Sequence, residues 1–257
     1  MGKLRSRVRR MLARSLVTAP AVQRSPTHRA TVVATRALTP RMRRVTVQSD
    51  SMIGLRLRPA QDVELHLSES TGRRVKRRYT VRHARPDVGE LDLDVLLHGA
   101  GPGSAWGAGA RAGDAVSFQG PRGKLQLTRA DWHLLVGDES ALPAVAAICE
   151  ALPPGEAAIV VLEVQDATDE LPIERGELHW VHRGQVAPGT PELLVPAVAA
   201  LALPAGAGHA YLLGETRSMV ALRALTEARG VAHEAIFVKG YWNLARPDRI
   251  GGRAPRA

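Results

Sequence analysis

Cysteine is almost absent from this chain of 257 residues, since Cys149 is the only one. A single cysteine excludes a disulfide within the chain and an iron–sulfur cluster held by this chain alone. Cys149 lies in an apolar segment with a helical pattern, which favours a buried and inert thiol. The nine histidines lack a metal-ligand spacing such as H-E-x-x-H, and no serine or cysteine nucleophile motif occurs. The sequence therefore predicts no metal site.

Long hydrophobic runs and aromatic residues are also scarce. No apolar stretch reaches the length of a transmembrane helix, and the basic N-terminus lacks the apolar core of a signal peptide. We therefore expect a cytoplasmic protein without stable membrane insertion. Aromatic residues make up 4% of the chain, and no signature of a nucleic-acid-binding module occurs. A nucleic-acid partner is therefore not expected.

Acidic residues are missing from positions 1–49, which hold 12 Lys/Arg. In the rest of the chain 23 Lys/Arg face 25 Asp/Glu, so a basic N-terminal part precedes a nearly neutral body. Residues 1–27 are predicted to form a flexible arm, because Pro20 and Pro26 limit any helix there. Exposure to solvent is the favoured interpretation of this arm. Weak contact with anionic lipid and binding of nucleic acid are the alternatives.

The remaining chain divides into two parts with different patterns of predicted secondary structure. Short runs with alternating apolar residues predict antiparallel strands near 30–37, 43–49, 62–67, 77–84, 90–98 and 114–119. With a short helix before the last strand, they predict a closed β-barrel over residues 28–128. After Asp131, strands at 132–139, 157–164, 177–184, 209–215 and 232–242 alternate with helices at 141–152, 191–203 and 218–229. This alternation predicts an α/β domain with a mainly parallel sheet over 129–245 and a flexible tail over 246–257.

The tetrapeptide RRYT at residues 77–80 is the first candidate site. Because strand side chains alternate between faces, Arg77 and Tyr79 are predicted on one face and Arg78 and Thr80 on the other. An arginine fork can hold a pyrophosphate through two hydrogen bonds, and a tyrosine ring can lie against a flat heterocycle. Thr80 can reach a ring nitrogen that changes its redox state. A solvated basic strand is the alternative for this tetrapeptide alone.

The turn HGAGPGSAW at residues 98–106 is the second candidate site. Its glycines let backbone N–H groups approach an anion, and a short helix is predicted to follow them. The turn matches neither a Walker loop nor a good G-x-G-x-x-G motif. An ordinary Gly-Pro turn capped by Ser104 is the alternative. Together with RRYT, the turn favours a flavin site.

A family resemblance follows from five segments that occur in order and at characteristic spacing. They are RRYTVR, DVLLHGAGPGSAW, AGDAVSFQGPRG, LLVGDESALPAVAAICEALP and GYW. The chain thereby resembles the siderophore-interacting proteins, a branch of the ferredoxin-reductase superfamily, over about residues 28–243. The resemblance implies a ferredoxin-reductase-like fold. Its parts are an FAD-binding barrel over 28–128 and a nicotinamide-binding-like domain over 129–245.

The resemblance also implies roles for particular residues. The expected cofactor-binding residues are Arg77, Tyr79, Thr80, His98, Gly101, Pro102, Gly103, Ser104, Asp138, Glu139, Ser140 and Trp242. Among them, Tyr79 and Thr80 are expected to act as catalytic residues beside the flavin ring. A basic cluster runs from Arg73 to Arg85 without an acid, and Lys239 lies near the end of the chain. Lys239, Arg78 and Arg82 are predicted to bind the substrate.

The function implied by the resemblance is that of an FAD-dependent ferric-siderophore reductase, which releases iron as Fe(II). The expected electron donor is NADPH or NADH, and a reduced ferredoxin is the alternative. The ferric siderophore is the expected partner. A general flavin or electron-carrier reductase is an alternative function, and so is a siderophore-binding protein with little turnover.

Overall fold

The computed structural model describes residues 26–69, 71–99 and 101–245. A closed antiparallel barrel of six strands is followed by a five-stranded parallel sheet with helices on both faces. The predicted fold class is therefore confirmed. The predicted tail 246–257 lies outside the described residues, and so does the predicted arm up to Ser25. Within the described part of the chain, no helix is long and apolar enough to cross a membrane.

The barrel strands appear close to their predicted positions. Their bounds are Thr27–Ala37 (β1), Met42–Gln48 (β2), Asp62–Ser68 (β3), Arg74–Arg85 (β4), Glu90–Leu96 (β5) and Ala115–Arg122 (β6), with Pro102–Gly109 (α1) before the last strand. The barrel closes in the order β1-β2-β5-β4-β3-β6. The alternation of the sequence places Val63, Leu65 and Phe118 inside the barrel, where all three are fully buried.

The second domain alternates strands and helices as the sequence predicts. Its strands are Trp132–Asp138 (β7), Ala157–Val164 (β8), Glu177–His182 (β9), Gly208–Glu215 (β10) and Ile236–Trp242 (β11). Its helices are Leu142–Ala151 (α2), Pro191–Ala199 (α3) and Thr216–Ala228 (α4). All neighbours are parallel in the sheet order β11-β10-β7-β8-β9. The predicted last strand differs at its start, because a short 3-10 helix occupies His233–Ala235.

The central strand β7 explains why this domain holds together. Every residue of β7 is buried, because α2 packs on one face of the sheet and α3 and α4 pack on the other. Strands covered on both faces are expected to be continuous apolar runs, as in this segment. Cys149 on α2 belongs to this core, and burial raises the pKa of its thiol to about 12. The predicted burial of this thiol is therefore confirmed.

Charged side chains join the two domains. Arg41, in the turn between β1 and β2, binds Glu139 at 2.8 Å and lies 3.7 Å from Asp169. Glu139 is 4% exposed and also pairs with Arg183 at 3.0 Å. On β4, Arg82 donates to Glu150 of α2 at 2.8 Å. These contacts fix the barrel against the second domain, so that strand ends from both domains meet at one junction.

Replacing Glu139 with alanine is expected to destabilise the protein. The change leaves the guanidinium of Arg183, which is 5% exposed, without its closest carboxylate. Removing one partner of a buried ion pair costs about 3–5 kcal/mol in the free energy of unfolding, which urea denaturation would measure. Glu227→Ala is the matched control, because Glu227 pairs with Arg223 at the surface and should leave the unfolding midpoint unchanged. Equal effects of the two substitutions would contradict a stabilising role for the Glu139 pairs.

Candidate functional site

Two predicted segments, RRYT and the glycine turn, meet at helix α1. A Cβ atom on Gly103 would collide with the hydroxyl of Tyr79 and would lie 3.5 Å from Cγ of Arg77. The ring of Tyr79 packs against Trp106 with a centroid distance of 5.9 Å. Burial raises the pKa of Tyr79, so its hydroxyl stays protonated. Gly103 is therefore required for the close approach of α1 to β4, and Trp106 anchors that helix on the barrel.

The edge of β4 beside this helix has no strand partner. β4 pairs with β3 over Arg74–Thr80, but with β5 only from Val81 onward. A register shift between Val81 and His83 marks a β-bulge where the pairing with β5 begins. Backbone N–H and C=O groups of residues 77–80 on the side away from β3 consequently lack a strand to bond. Such an edge can bind the polar rim of a flat heterocycle.

The polar groups around the start of α1 are suited to binding a pyrophosphate. The guanidinium of Arg77 donates to the backbone carbonyl of Lys76 at 3.0 Å and forms no ion pair among the described residues. The first N–H groups of α1 lack intrahelical acceptors, and the positive end of the helix dipole favours an anion there. Gly101 and Pro102 begin this helix, and the exposed His98 lies beside them. Arg77 and the start of α1 can therefore hold the negative charges of FAD.

Ser104 is held within the glycine turn. Its hydroxyl accepts a hydrogen bond from the backbone N–H of His98 at 2.9 Å, and the side chain is buried. Gly101 occupies the N-cap position of α1 without a side-chain cap. Ser104 is therefore not the N-cap of α1. Ser104 instead closes the turn that carries Gly101 and Gly103.

The opposite face of β4 lies at the domain junction. The hydroxyl of Thr80 lies 3.5 Å from that of Tyr241 on β11. Lys239 binds Oδ2 of Asp62 at 2.8 Å, and its ammonium lies 4.9 Å from the ring centroid of Tyr241. Asp62 is 3% exposed, yet its Oδ1 has no hydrogen-bond partner in the part of the chain that the structure describes. A buried acceptor without a donor fits the N–H or O–H group of a bound ligand.

Arg78 and Arg82, both predicted to bind substrate, have different surroundings. Arg78 is exposed at the junction, 4.0 Å from Asp62 and 3.8 Å from Glu64. Arg82 is mostly covered and is held by Glu150, so its guanidinium serves the domain interface. The geometry brings Arg78 together with Lys239 and does not favour a substrate contact for Arg82.

The loop 138–140 was expected to contact the cofactor, but its side chains have internal partners. Asp138 accepts hydrogen bonds from the backbone and hydroxyl of Ser140, from the backbone of Glu215 and from the indole of Trp242. Burial raises the pKa of Asp138. Glu139 is held by Arg41 and Arg183. Ala141, the next residue, occupies the N-cap position of α2. The side chains of this loop are therefore engaged within the protein, and its contact with a cofactor stays a prediction.

Two acids at the carboxyl edge of the sheet were not singled out from the sequence. Glu215 is 1% exposed and accepts from the backbone N–H groups of Arg217 at 2.6 Å and Ser218 at 2.9 Å. It thereby fills the start of α4, so a dinucleotide pyrophosphate does not fit there. Glu163 is also 1% exposed, at the end of β8. The sequence signal for these two acids is their position at the ends of strands, since parallel sheets bind ligands at that edge.

Comparison with known proteins identifies the family. The model of the siderophore-interacting protein domain matches residues 130–245, and that of the siderophore-interacting FAD-binding domain matches residues 61–125. An uncharacterized protein of Mycobacterium tuberculosis is 34% identical, with 88% of this chain and 93% of that protein covered. This chain belongs to the siderophore-interacting protein family.

Further relatives and structural neighbours of this chain support the assignment. The ferric vibriobactin reductase of Vibrio cholerae is 37% identical, with 68% of this chain and 66% of that protein covered. The crystal structure of a siderophore utilization protein from T. fusca is 33% identical and has a TM-score of 0.79, covering 85% of this chain and 93% of that one. A ferredoxin reductase in carbazole 1,9a-dioxygenase shares the fold alone, with 20% identity, a TM-score of 0.66 and coverage of 84% and 70%.

Glu163 is expected to make stability depend on pH. Burial raises its pKa to about 7, with contributions from Asp138 and Glu139, and Arg183 only partly opposes them. Between about pH 4.5 and pH 7 the folded state keeps a proton that the unfolded state has lost, so stability falls as pH rises through this window. Glu163→Gln removes the effect. As the pH rises from 5 to 8, the free energy of unfolding of the variant should increase by about 2–3 kcal/mol relative to that of the parent protein.

Urea denaturation across this pH range provides the measurement for Glu163. Glu174→Gln is the matched control, because the side chain of Glu174 is exposed. Its stability relative to the parent protein should stay constant with pH. A constant difference for Glu163→Gln as well would show that Glu163 is ionised throughout the range in the folded protein.

Proposed function

We propose that this protein is an FAD-dependent ferric-siderophore reductase that releases iron as Fe(II). The observation that carries the proposal is the unpaired edge of β4, which runs from Arg77 and α1 to Thr80 at the domain junction. Two relatives support the substrate class. One is the ferric vibriobactin reductase already described, and the other is an NADPH-dependent ferric-chelate reductase of Escherichia coli, 26% identical over 60% of this chain.

In this proposal FAD lies along the unpaired edge of β4, and side chains from both faces of the strand contact it. Arg77 and the first N–H groups of α1 bind the pyrophosphate, and His98 and the turn residues Gly101–Ser104 surround it. Tyr79 supports the cofactor beside α1. Thr80 hydrogen-bonds the edge of the flavin ring at the junction, where the free Oδ1 of Asp62 accepts from an N–H or hydroxyl group. FAD supplies the redox chemistry, because it accepts two electrons as a hydride and can pass on one at a time.

The substrate is a chelated Fe(III) ion, which gains one electron and becomes Fe(II). The hard oxygen donors of a siderophore hold Fe(II) less strongly than Fe(III), so reduction releases the metal. Lys239 and Arg78 form a basic mouth next to Thr80 and Tyr241. They attract chelates with net negative charge and orient them toward the junction.

NADPH or NADH is the proposed electron donor, and reduced ferredoxin is the alternative. Buried acids occupy the carboxyl edge of the second sheet, namely Asp138, Glu163 and Glu215. They disfavour a pyrophosphate at this edge, so a nicotinamide ring would dock beside the loop 138–140 with its phosphates elsewhere. A direct comparison of NADPH, NADH and reduced ferredoxin therefore decides which donor reduces the flavin.

Anaerobic reduction followed by mixing with ferric chelates tests the proposed function. The FAD-loaded protein is reduced with NADPH, NADH or reduced ferredoxin, and the flavin spectrum is followed. Addition of a ferric siderophore should reoxidise the flavin and yield two Fe(II) per FAD, trapped by a ferrous chelator. Reoxidation by free flavins or electron carriers but not by ferric chelates would indicate a general flavin reductase. Chelate binding without reoxidation would indicate a siderophore-binding protein.

Arg77→Ala is expected to weaken FAD binding. A buried phosphate loses charge-assisted hydrogen bonds worth about 1.5–3 kcal/mol, which corresponds to a loss of roughly 10–150-fold in affinity. Quenching of flavin fluorescence on titration with apoprotein measures the affinity. Arg74→Ala is the matched control, since Arg74 is an exposed arginine on the same strand, away from α1. Unchanged affinity in Arg77→Ala would remove Arg77 from the site.

The basic mouth is expected to make substrate choice depend on salt. Steering acts on association and is screened over a Debye length of about 8 Å at physiological ionic strength. The value of kcat/KM for anionic ferric chelates should therefore fall as the salt concentration rises, while kcat changes less. For neutral hydroxamate chelates kcat/KM should depend only weakly on salt. Lys239→Ala should reduce this preference more than it slows flavin reduction by the nicotinamide.

Stopped-flow reoxidation with one anionic and one neutral chelate, at low and high salt, measures the salt effect. Arg111→Ala serves as the control, because Arg111 is an exposed cation in the turn before β6. Equal salt slopes for the two chelates in the parent protein would exclude steering by the mouth.

A further inference from the structure

Asp62 is a buried carboxylate with incomplete hydrogen bonding at the domain junction. It is the first residue of β3, it is 3% exposed, and its backbone lies opposite Thr80 on β4. Oδ2 accepts from the ammonium of Lys239 at 2.8 Å, while Oδ1 has no hydrogen-bond partner among the described residues. The Nε atom of Arg78, 4.0 Å from Oδ1, is too far away to donate. A buried oxygen without a donor costs free energy, so it requires an explanation other than stability.

The next carboxylate on the same face of β3 is fully bonded. Glu64 accepts from Lys76 at 2.9 Å through one oxygen and from Arg122 at 2.9 Å through the other. Although burial alone would raise the pKa of Glu64, these hydrogen bonds lower it below its ordinary value. Arg122 lies opposite Asp62 in the pairing of β3 with β6, yet its guanidinium binds Glu64. The free oxygen is therefore particular to Asp62, where the barrel meets β11.

Lys239 neutralises the charge of Asp62 from the second domain. Its ammonium lies 4.9 Å from the ring centroid of Tyr241, and its side chain is 26% exposed. The hydroxyl of Tyr241 lies 3.5 Å from that of Thr80, and burial raises the pKa of Tyr241, so this hydroxyl stays protonated. Thr80 consequently has an ion pair beside it, in which the negative member is buried and the positive member reaches solvent.

An ion pair that only joined the two domains would not need a free oxygen. The pair of Arg82 with Glu150 also crosses this interface, and there two N–H groups of the guanidinium bind the two oxygens of the carboxylate. Lys239 binds one oxygen of Asp62 and leaves the other close to Thr80. The comparison indicates that Asp62 does more than hold the domains together.

The charge of a carboxylate acts directly on a flavin that is bound next to it. Two-electron reduction of FAD at neutral pH takes up one proton, so the reduced cofactor carries one more negative charge than the oxidised cofactor. A negative charge beside the ring opposes this gain and lowers the reduction potential, whereas a positive charge raises it. Both effects persist at physiological salt when the charged groups are partly buried, because counterions screen such groups weakly.

We propose that Asp62 lowers the reduction potential of FAD at the domain junction and that Lys239 opposes this effect. The inference rests on the proposed function, since it takes an edge of the flavin ring to lie beside Thr80. Oδ1 of Asp62 then accepts from an N–H or hydroxyl group that the cofactor carries in both oxidation states, so this bond does not favour the reduced state.

A lower flavin potential suits the proposed substrate. Fe(III) in a chelate of hard oxygen donors is difficult to reduce, because these donors hold Fe(III) more strongly than Fe(II). Transfer of one electron to each of two such ions, with loss of one proton, returns the flavin to its oxidised state. The charge of Asp62 increases the driving force of this transfer, and Lys239 limits the increase while it attracts the chelate.

Redox titration of the FAD-loaded protein tests the proposal. Midpoint potentials are read from the flavin spectrum against reference dyes at about pH 8, which keeps the carboxylate ionised. Asp62→Asn keeps the shape of the side chain and removes its charge, so the potential should become more positive. Lys239→Gln leaves Asp62 without its counter-charge, so the potential should become more negative. Each shift should correspond to roughly a tenfold change in the affinity for reduced relative to oxidised FAD, or about 30 mV for a two-electron couple.

Two further variants separate charge from a loosened domain interface. Glu150→Gln is the matched control, because it removes one carboxylate from another ion pair between the domains. Its midpoint potential should equal that of the parent protein. Asp62→Asn combined with Lys239→Gln removes both charges, so its potential should lie between those of the two single variants.

The sign of the shifts decides the outcome. Shifts of both single variants in the same direction would overturn the proposal, since the pair would then act through the position of β11. A more negative potential in Asp62→Asn would overturn it too, because Oδ1 would then bond a group that only the reduced ring carries. Should Asp62→Asn not fold, an unchanged or more positive potential in Lys239→Gln contradicts the proposal by itself.

Failure of this inference is distinguishable from failure of the proposed function. A parent protein that is reoxidised by ferric chelates, with no shift of potential in either single variant, would keep the proposed function and refute the role of Asp62. A chain that does not bind FAD would refute both.

Discussion

The candidate site depends on one change of partner in a barrel strand. β4 bonds to β3 in its first half and to β5 only after the bulge between Val81 and His83. If β4 paired with β5 along its whole length, the edge of residues 77–80 would be filled by backbone. Instead α1 approaches this edge, which is possible because Gly103 has no side chain to collide with Tyr79. The unpaired edge, the start of a helix and Arg77, which forms no ion pair with the described residues, are consequently in one place.

The second domain uses its charges mainly to hold the architecture together. Asp138 accepts from four donors on three segments, including the indole of Trp242 at the end of β11. Glu139 joins Arg41 of the barrel to Arg183. These buried groups position β11, and with it Lys239 and Tyr241, against Thr80. The buried charges near the site therefore mainly fix the geometry of the junction. Their burial has a cost in free energy, because the charged groups lose their hydration.

Local patterns in the sequence predicted the fold and the closeness of two candidate segments. Alternation of apolar residues identified the strands of the barrel, and the same rule placed Arg77 and Tyr79 opposite Arg78 and Thr80. The family segments then indicated that RRYT and the glycine turn belong together. These predictions succeeded because they depend on residues close in the chain, or on strands that pair in the fold.

Pairings between distant residues could not be predicted in this way. Arg82 binds Glu150 and Lys239 binds Asp62 across the domain interface, and no local pattern identifies either partner. The inward bonds of Asp138 and Glu139 were missed because strand-end acids are as compatible with a ligand as with a buried ion pair. The raised pKa of Glu163 likewise results from tertiary burial.

The central claim is that the unpaired edge of β4 is the flavin site. A crystal structure of the FAD-loaded protein tests it most directly. We expect the pyrophosphate within hydrogen-bond distance of Arg77 and the start of α1, and an edge of the flavin ring beside Thr80 at the domain junction. The free Oδ1 of Asp62 should then accept a hydrogen bond from the cofactor. Electron density for the flavin at the carboxyl edge of the second sheet, with the β4 edge free, would contradict the account.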